Sequence, residues 1–361
     1  MSEQRLAIGR GRPTLLYCFP KRSTFIDRDI SLLGQRYRVV QHELVTGPSW
    51  QLPFRLLHQF AWLIRHKAWR HSTICHFSGY HAVLPTLLSH RCFIILAGSD
   101  CASIPAIGYG NNARRMLGWA TRFSARRATH LLPVHASLMK RTTDYADIVP
   151  REQGILAFAR GMNTPWSEVP YGFDDQFWCT DTSTFRAADL FVCVAGPATP
   201  HNRVHQLKGV DLLLQIAERT PGARFQVVGL ADPDAYKGAP ANVRFTGRVS
   251  PEQLRDIYRS ASFYVQLSLS EGMPNALCEA MLCGSIPLVS NVASMPSIVE
   301  GCGLVLTERE PLLGAALCGQ LLALSAEERS IRSANARSRI VTDFHQERRV
   351  NTLFALLATG D

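Results

Sequence analysis

The chain has 361 residues, 46 % hydrophobic and 19 % charged, a balance that excludes a disordered polypeptide and leaves room for two domains with cores of their own. Its apolar runs, such as 93–97 and 286–289, are too short to cross a bilayer, and the polar, basic stretch 1–13 lacks the apolar centre of a signal peptide; a cytoplasmic location is expected. The net charge of +10 lies in residues 1–182, with 22 Lys and Arg against 12 Asp and Glu, whereas 183–361 hold 17 of each. Such asymmetry points to an anionic partner for the first half, with a bias for solubility as the plainer alternative.

In chain order, residues 14–19, 37–42, 73–77, 92–97 and 130–134 read as buried strands. Amphipathic stretches 25–33, 53–70, 81–88 and 114–127 read as the helices between them. The alternation then begins afresh: strand 190–195, helix 210–219, strands 224–229 and 243–246, helix 251–261, strand 263–267, helix 276–283, strand 286–290, and a long helical tail from Pro311. Strands alternating with helices at this spacing predict parallel sheets covered on both faces. The expected fold is α/β, with two Rossmann-like doubly wound domains facing a central cleft, where ligands bind. Turn-prone sequence at Gly172-Phe173-Asp174-Asp175 sets the junction. The domains are then 1–180 on the acceptor side and 181–343 on the nucleotide side, with a tail helix over 344–361 free to pack back on the first. Ten cysteines include no C-x-x-C string and no accompanying His pair, so ten reduced thiols are expected rather than disulfides or zinc.

The most informative segment is Ser270-Glu271-Gly272-Met273-Pro274-Asn275-Ala276-Leu277-Cys278-Glu279-Ala280-Met281-Leu282-Cys283-Gly284. It reads as a strand end, a tight turn, a helix opening near Pro274 and a Gly stop. Free N–H groups at the start of that helix suit a diphosphate. The segment closely resembles the signature of glycosyltransferase family 4, retaining enzymes of the GT-B fold. The resemblance implies that Glu271 binds hydroxyls of the transferred sugar and Glu279 the ribose, with Gly272, Met273, Pro274, Asn275, Ala276 and Leu277 lining the donor. The eight-residue spacing carries no weight alone, since Glu300 and Glu308 share it.

Arg203-Val204-His205-Gln206-Leu207-Lys208-Gly209 follows the strand at 190–195, and in the family an Arg and Lys so spaced contact the donor diphosphate. Two fixed cations there stabilise a departing diphosphate more in the transition state than before it. Gly247, Arg248 and Val249 resemble the base-binding turn. The resemblance covers roughly 165–305 and is weaker before that. Phe19-Pro20-Lys21-Arg22-Ser23-Thr24 replaces the usual Gly-rich loop, and Ala293-Ser294-Met295-Pro296-Ser297 lacks the usual Gly pair and Glu.

On the acceptor side, Gly98-Ser99-Asp100 resembles the family's loop. Asp100 is therefore expected either to orient an acceptor hydroxyl or help hold the sugar ring, or to cap the following helix or turn. His76, His81 and His135 are further acceptor-side candidates. By resemblance, the reaction retains the anomeric configuration, the leaving diphosphate itself takes the acceptor proton, and no side-chain base is assigned. No metal and no other cofactor are expected, because Arg203 and Lys208 supply the positive charge.

The resemblance implies a nucleotide-sugar donor and a glycan or lipid-linked acceptor, as in bacterial cell-surface polysaccharide or glycolipid synthesis. A soluble small-molecule acceptor, or a catalytically silent nucleotide- or polysaccharide-binding module, remain as alternatives. No nucleic-acid-binding module is present. In 53–71, Phe54, Leu57, Phe60, Ala61, Ile64 and Ala68 recur at helical steps among Arg65, Lys67, Arg70, Trp62 and Trp69. That pattern predicts a surface that docks on an anionic membrane, against the alternative of ordinary helices packed on the sheet.

Overall fold

The computed structural model describes residues 12–45, 47–181 and 183–358. Strands β1 (Thr14–Phe19), β2 (Arg38–Glu43), β3 (Ser72–His76), β4 (Arg91–Leu96) and β5 (His130–Pro133) form one sheet of order β2-β1-β3-β4-β5. Every neighbouring pair is parallel. Leu15, Leu16, Tyr17 and Cys18 are all fully buried, because a strand covered on both faces has no solvent side and therefore reads as a continuous apolar run. The covering helices are α1 (Thr24–Leu33), α2 (Leu52–Arg65), α3 (Tyr80–Leu88) and α4 (Arg115–Arg127). A small antiparallel pair, β6 (Arg141–Thr142) with β7 (Glu152–Gln153), and the short α5 (Ile155–Phe158) follow.

The second sheet comprises β8 (Ala187–Val194), β9 (Arg224–Leu230), β10 (Val243–Gly247), β11 (Ala261–Gln266), β12 (Ile286–Ser290) and β13 (Leu304–Leu306), again all parallel, in the order β10-β9-β8-β11-β12-β13. Its helices are α6 (Arg203–Leu207), α7 (Val210–Arg219), α8 (Pro251–Ser260), α9 (Asn275–Leu282), α10 (Met295–Ile298), α11 (Pro311–Leu322), α12 (Ala326–Asp343) and α13 (Gln346–Ala358). Phe191 stacks between Phe225 at 5.2 Å and Phe263 at 4.5 Å in its core. Two Rossmann-like sheets of this kind make the GT-B fold. All ten cysteines are free thiols, nine of them buried. Among the described residues no helix is long and apolar enough to cross a membrane.

Two expectations need correction, and one strand was not expected. The helix expected over 53–70 stops at Arg65, because Lys67 adopts a left-handed conformation with φ +49°. That turn redirects the chain so that Ala68 is buried and its carbonyl accepts from the His90 amide. The tail from Pro311 is three helices. The second starts at a capping box in which Ser325 and Glu328 satisfy each other's backbone, a signature legible in the sequence. The third starts after Phe344, whose carbonyl accepts from Phe173 N–H. The edge strand β13, three residues long, carries too few residues to show a period.

Helix α13 reaches the first sheet's side of the molecule. Arg349 grips Asp29 of α1 through two hydrogen bonds of 2.6 Å, both groups buried, and donates to the carbonyls of Val169 and Pro170. Burial alone would raise the Asp29 carboxyl. The Arg349 guanidinium, with His76 and Arg28, holds it below the usual carboxylate range.

The face of α2 expected to be apolar points outward. Phe54 and Leu57 are 68 % and 65 % exposed, and Ile64 is exposed as well. Gln59 turns inward to donate to the His81 carbonyl at 2.8 Å. Trp50, Trp69, Met116 and Trp119 are exposed too.

Candidate functional site

Parallel strands leave their carboxyl ends, and the loops that follow, at one rim of each sheet. β8 and β11 are neighbours, so the loop after β11 meets the segment that follows β8. Lys208, at the end of α6, thus reaches Glu271: Nζ lies 2.7 Å from Oε1. The same oxygen accepts from Gln266 Nε2 and Ser268 Oγ, each at 2.7 Å. Three donors on one carboxylate oxygen hold Glu271 in place, and the residue is 9 % exposed. Its Oε2 takes no bond among the described residues.

After Glu271 the chain makes its turn and enters α9 at Asn275. No side chain caps the start of this helix, so its first N–H groups have no side-chain acceptor. Glu279 stands one turn on, partly exposed. Burial pushes its carboxyl up to about 7, against the opposing pull of Arg28. Arg28 crosses from α1 to donate to the Gly172 carbonyl and, at 3.3 Å, to Asn275 Oδ1. Glu271, Lys208, Glu279 and the Gly272–Leu277 turn therefore share one cleft wall. Arg203 points across the cleft, donating to the Gly108 carbonyl at 2.8 Å. Gly247 closes β10, with Arg248 exposed and Val249 half-buried behind it. Nearby Tyr236 stacks on Phe245 at 4.5 Å.

The opposite wall comes closest at Gly98, which has φ +138°. A Cβ there would lie 3.0 Å from the Gly272 amide nitrogen. The glycine pair lets two backbones touch where any side chain would separate them.

Asp100 does not face the cleft. It is fully buried, Oδ2 accepts from Ser78 N–H, and Oδ1 accepts from Ala97 and Gly98 N–H. Its partners all precede it in the chain, so it ties the loop after β4 to the one after β3 and caps no turn that follows. His76 is likewise in the core, between the Tyr17 hydroxyl at 2.9 Å and the Tyr171 hydroxyl at 2.8 Å. Burial drives its pKa down to about 3, so it is neutral and has no free nitrogen. His81 is buried, bonds the His76 carbonyl at 2.8 Å, and is lowered to about 4, chiefly by burial. His135 is half-buried; Nδ1 meets Ser137 Oγ and Nε2 meets Ser297 Oγ at 3.0 Å, tying loops of the two sheets together.

Residues that sequence reading missed also gather at the cleft. Arg141 reaches Ser270 Oγ at 3.5 Å, and its guanidinium is lowered by burial. Tyr109 lies near Glu271 and Ser270, its hydroxyl raised by burial and by the Glu271 charge. Gln266 and Ser268 stand five and three residues before Glu271, where the alternation of the strand end gave a usable hint. Arg28 and Arg141 offered no signal. No group of three or more His, Cys, Asp or Glu among the described residues is arranged to hold a metal ion.

Residues 199–323 match the family model of the glycosyl transferases group 1. The matched stretch contains Arg203, Lys208, Glu271 and Glu279. The D-inositol 3-phosphate glycosyltransferase of Mycobacterium bovis (strain BCG / Pasteur 1173P2) is 30 % identical over 171 residues, which is 44 % of this chain and 35 % of that protein. That of Mycobacteroides abscessus is 31 % identical over 109 residues, or 27 % of this chain and 25 % of that one. The chain thus spans about a third or less of the length of these relatives. Among solved structures, Anabaena HepE in complex with UDP and glucose superposes with a TM-score of 0.71 at 14 % identity, covering 96 % of this chain and 100 % of that one. Sucrose-phosphate synthase from Thermosynechococcus elongatus gives 0.67 at 15 %, covering 95 % and 98 %. Both likenesses concern the fold.

Proposed function

We propose that this protein is a family 4 glycosyltransferase that moves a hexose from a nucleotide-sugar donor to a glycan or lipid-linked acceptor with retention of configuration. The observation that carries the reading is Glu271, held by Lys208 and set beside the uncapped start of α9. Glu271 binds hydroxyls of the transferred sugar, and the amides of the Gly272–Leu277 turn receive the diphosphate. Lys208 and Arg203 stabilise the charge that grows on the leaving diphosphate. Glu279 accepts from the ribose, and the turn at Gly247, Arg248 and Val249 holds the base. Uracil is the first donor base to try, since HepE was crystallised with UDP and with UDP-glucose.

The leaving diphosphate takes the acceptor proton on the face it departs from, so no side-chain base and no metal are required. The outward apolar face of α2, with Arg65, Lys67 and Arg70 beside it, docks the protein on the anionic inner surface of the cytoplasmic membrane. What supports this part is the exposure of Phe54 and Leu57 on the outward side of α2, with Trp50 and Trp69 exposed beside them. The test is incubation with a panel of nucleotide sugars in the presence of excess chelator, with the product's anomeric configuration read by NMR. Transfer with retention supports the reading. Inversion, or transfer restored only by magnesium or manganese, refutes it.

A further inference from the structure

A cavity of about 500 Å³ lies in the first half, outside the donor wall, a size typical of small-molecule sites. Leu44, Val45, Leu52, Met116 and Leu117 form an apolar side of it, and Ser78, Ser99 and Asn111 add polar groups. Two cations, Arg55 and Arg114, also line it, and no Asp or Glu among the described residues does. Arg55 donates to the Val45 carbonyl at 2.8 Å and to the Gln51 amide oxygen; neither neutralises its charge. Arg114 is exposed. An apolar hollow with two uncompensated guanidinium groups fits an apolar chain that carries an anion.

The cavity's two ends define its use. Val45 and Met116, 58 % and 65 % exposed, mark an open mouth. A second hollow of about 540 Å³ shares Leu44, Val45 and Arg55 with it and adds Trp50 and Phe54, with Glu43, His42 and His58 on its polar side. At the other end the lining includes Ser99, whose neighbour Gly98 approaches the Gly272 amide. The hollow therefore runs from the apolar surface to the donor loop.

We propose that this cavity binds the acceptor as a phosphate-bearing amphiphile drawn from the membrane. The apolar chain lies between α2 and α4, the phosphate pairs with Arg55 and Arg114, and the hydroxyl-bearing end faces Ser99 and the donor. This rests on the transferase reading above and narrows its acceptor to one chemical class.

The experiment is titration calorimetry of the full chain with alkyl phosphates below their micelle concentrations. Wild type should bind dodecyl phosphate one-to-one. Each methylene withdrawn from water multiplies affinity roughly fourfold, so octyl phosphate should bind about two orders of magnitude more weakly. Neutral dodecyl maltoside should bind at least ten-fold more weakly than dodecyl phosphate, and Arg55→Gln with Arg114→Gln should abolish that difference. Ser49→Trp, at an exposed lining position that tolerates bulk, should weaken binding at least ten-fold, as should Leu117→Trp from inside. Lack of dodecyl phosphate binding, affinity independent of chain length, or full binding by both Trp variants would overturn the proposal. Sugar transfer from a nucleotide sugar to a simple soluble alcohol would still stand in that case; conversely, tight dodecyl phosphate binding without any nucleotide-sugar turnover would sink the transferase reading and leave the cavity intact.

Discussion

Replacing Gly272 by Ala puts a methyl group where the two cleft walls meet. The new carbon would overlap the Ala97 carbonyl oxygen and lie 3.2 Å from the Gly98 amide nitrogen. Ordinary van der Waals contact begins near 3.4 Å, so one wall must retreat by at least about 1 Å. Neither atom belongs to a flexible side chain, and the loops bearing them end β4 and β11, both buried. Relief therefore comes from parting the walls. A misplacement of about 1 Å of reacting groups lowers the rate about a hundred-fold. The assay is turnover with saturating donor and acceptor, alongside a thermal melt, which should move little because no core group is lost. Gly98→Ala, facing the same gap with a 3.0 Å approach and a left-handed φ, should act in the same direction. Wild-type turnover by a folded Gly272→Ala protein would refute the idea that this contact sets the working geometry.

Arg349→Met strands the Asp29 charge in the core and should destabilise by about 3–5 kcal/mol, read by urea unfolding; Asp29→Asn in the same chain should recover much of it. Glu279, with an ordinary value of 4.5 and a folded value of about 7, holds a proton between those limits that the unfolded chain has released. The free protein should therefore lose stability, at most about 3 kcal/mol, as pH rises through that window. Glu279→Gln should flatten this loss, and the wild-type Michaelis constant for donor should fall as the carboxylate forms. Phe54→Ser with Leu57→Ser should release the protein from anionic vesicles in co-sedimentation, and wild-type binding should weaken with salt; equal sedimentation of both proteins would contradict the docking face.

The turn-and-helix segment was legible because its Gly, Pro and Asn residues have only a few conformational uses, and the following residues repeat at helical spacing. The meeting of Lys208 with Glu271, 63 positions apart, followed once two adjacent strands were placed in one sheet. Burial was much less legible. Asp100 and His76 are the residue types that sites use, yet here they satisfy backbone and tyrosine groups inside the first half. The period of α2 located its apolar face but carried no information on whether anything covers it, and Gln59 occupies the inward side instead. Arg28, Arg141 and Tyr109 approach the cleft through contacts between the halves, which depend on how two sheets sit together rather than on any local pattern.

The central claim is that Glu271 and its neighbours stabilise transfer of a sugar from a nucleotide. Turnover with a nucleotide-sugar panel should be compared between wild type and Glu271→Gln, which preserves shape while removing charge. Loss of one preorganised contact to a developing ion costs about 3–4 kcal/mol, so the variant should turn over a hundred- to a thousand-fold more slowly with an unchanged melt. Near-wild-type turnover by the variant at saturating donor, or no turnover by the wild type with any nucleotide sugar, would contradict the account.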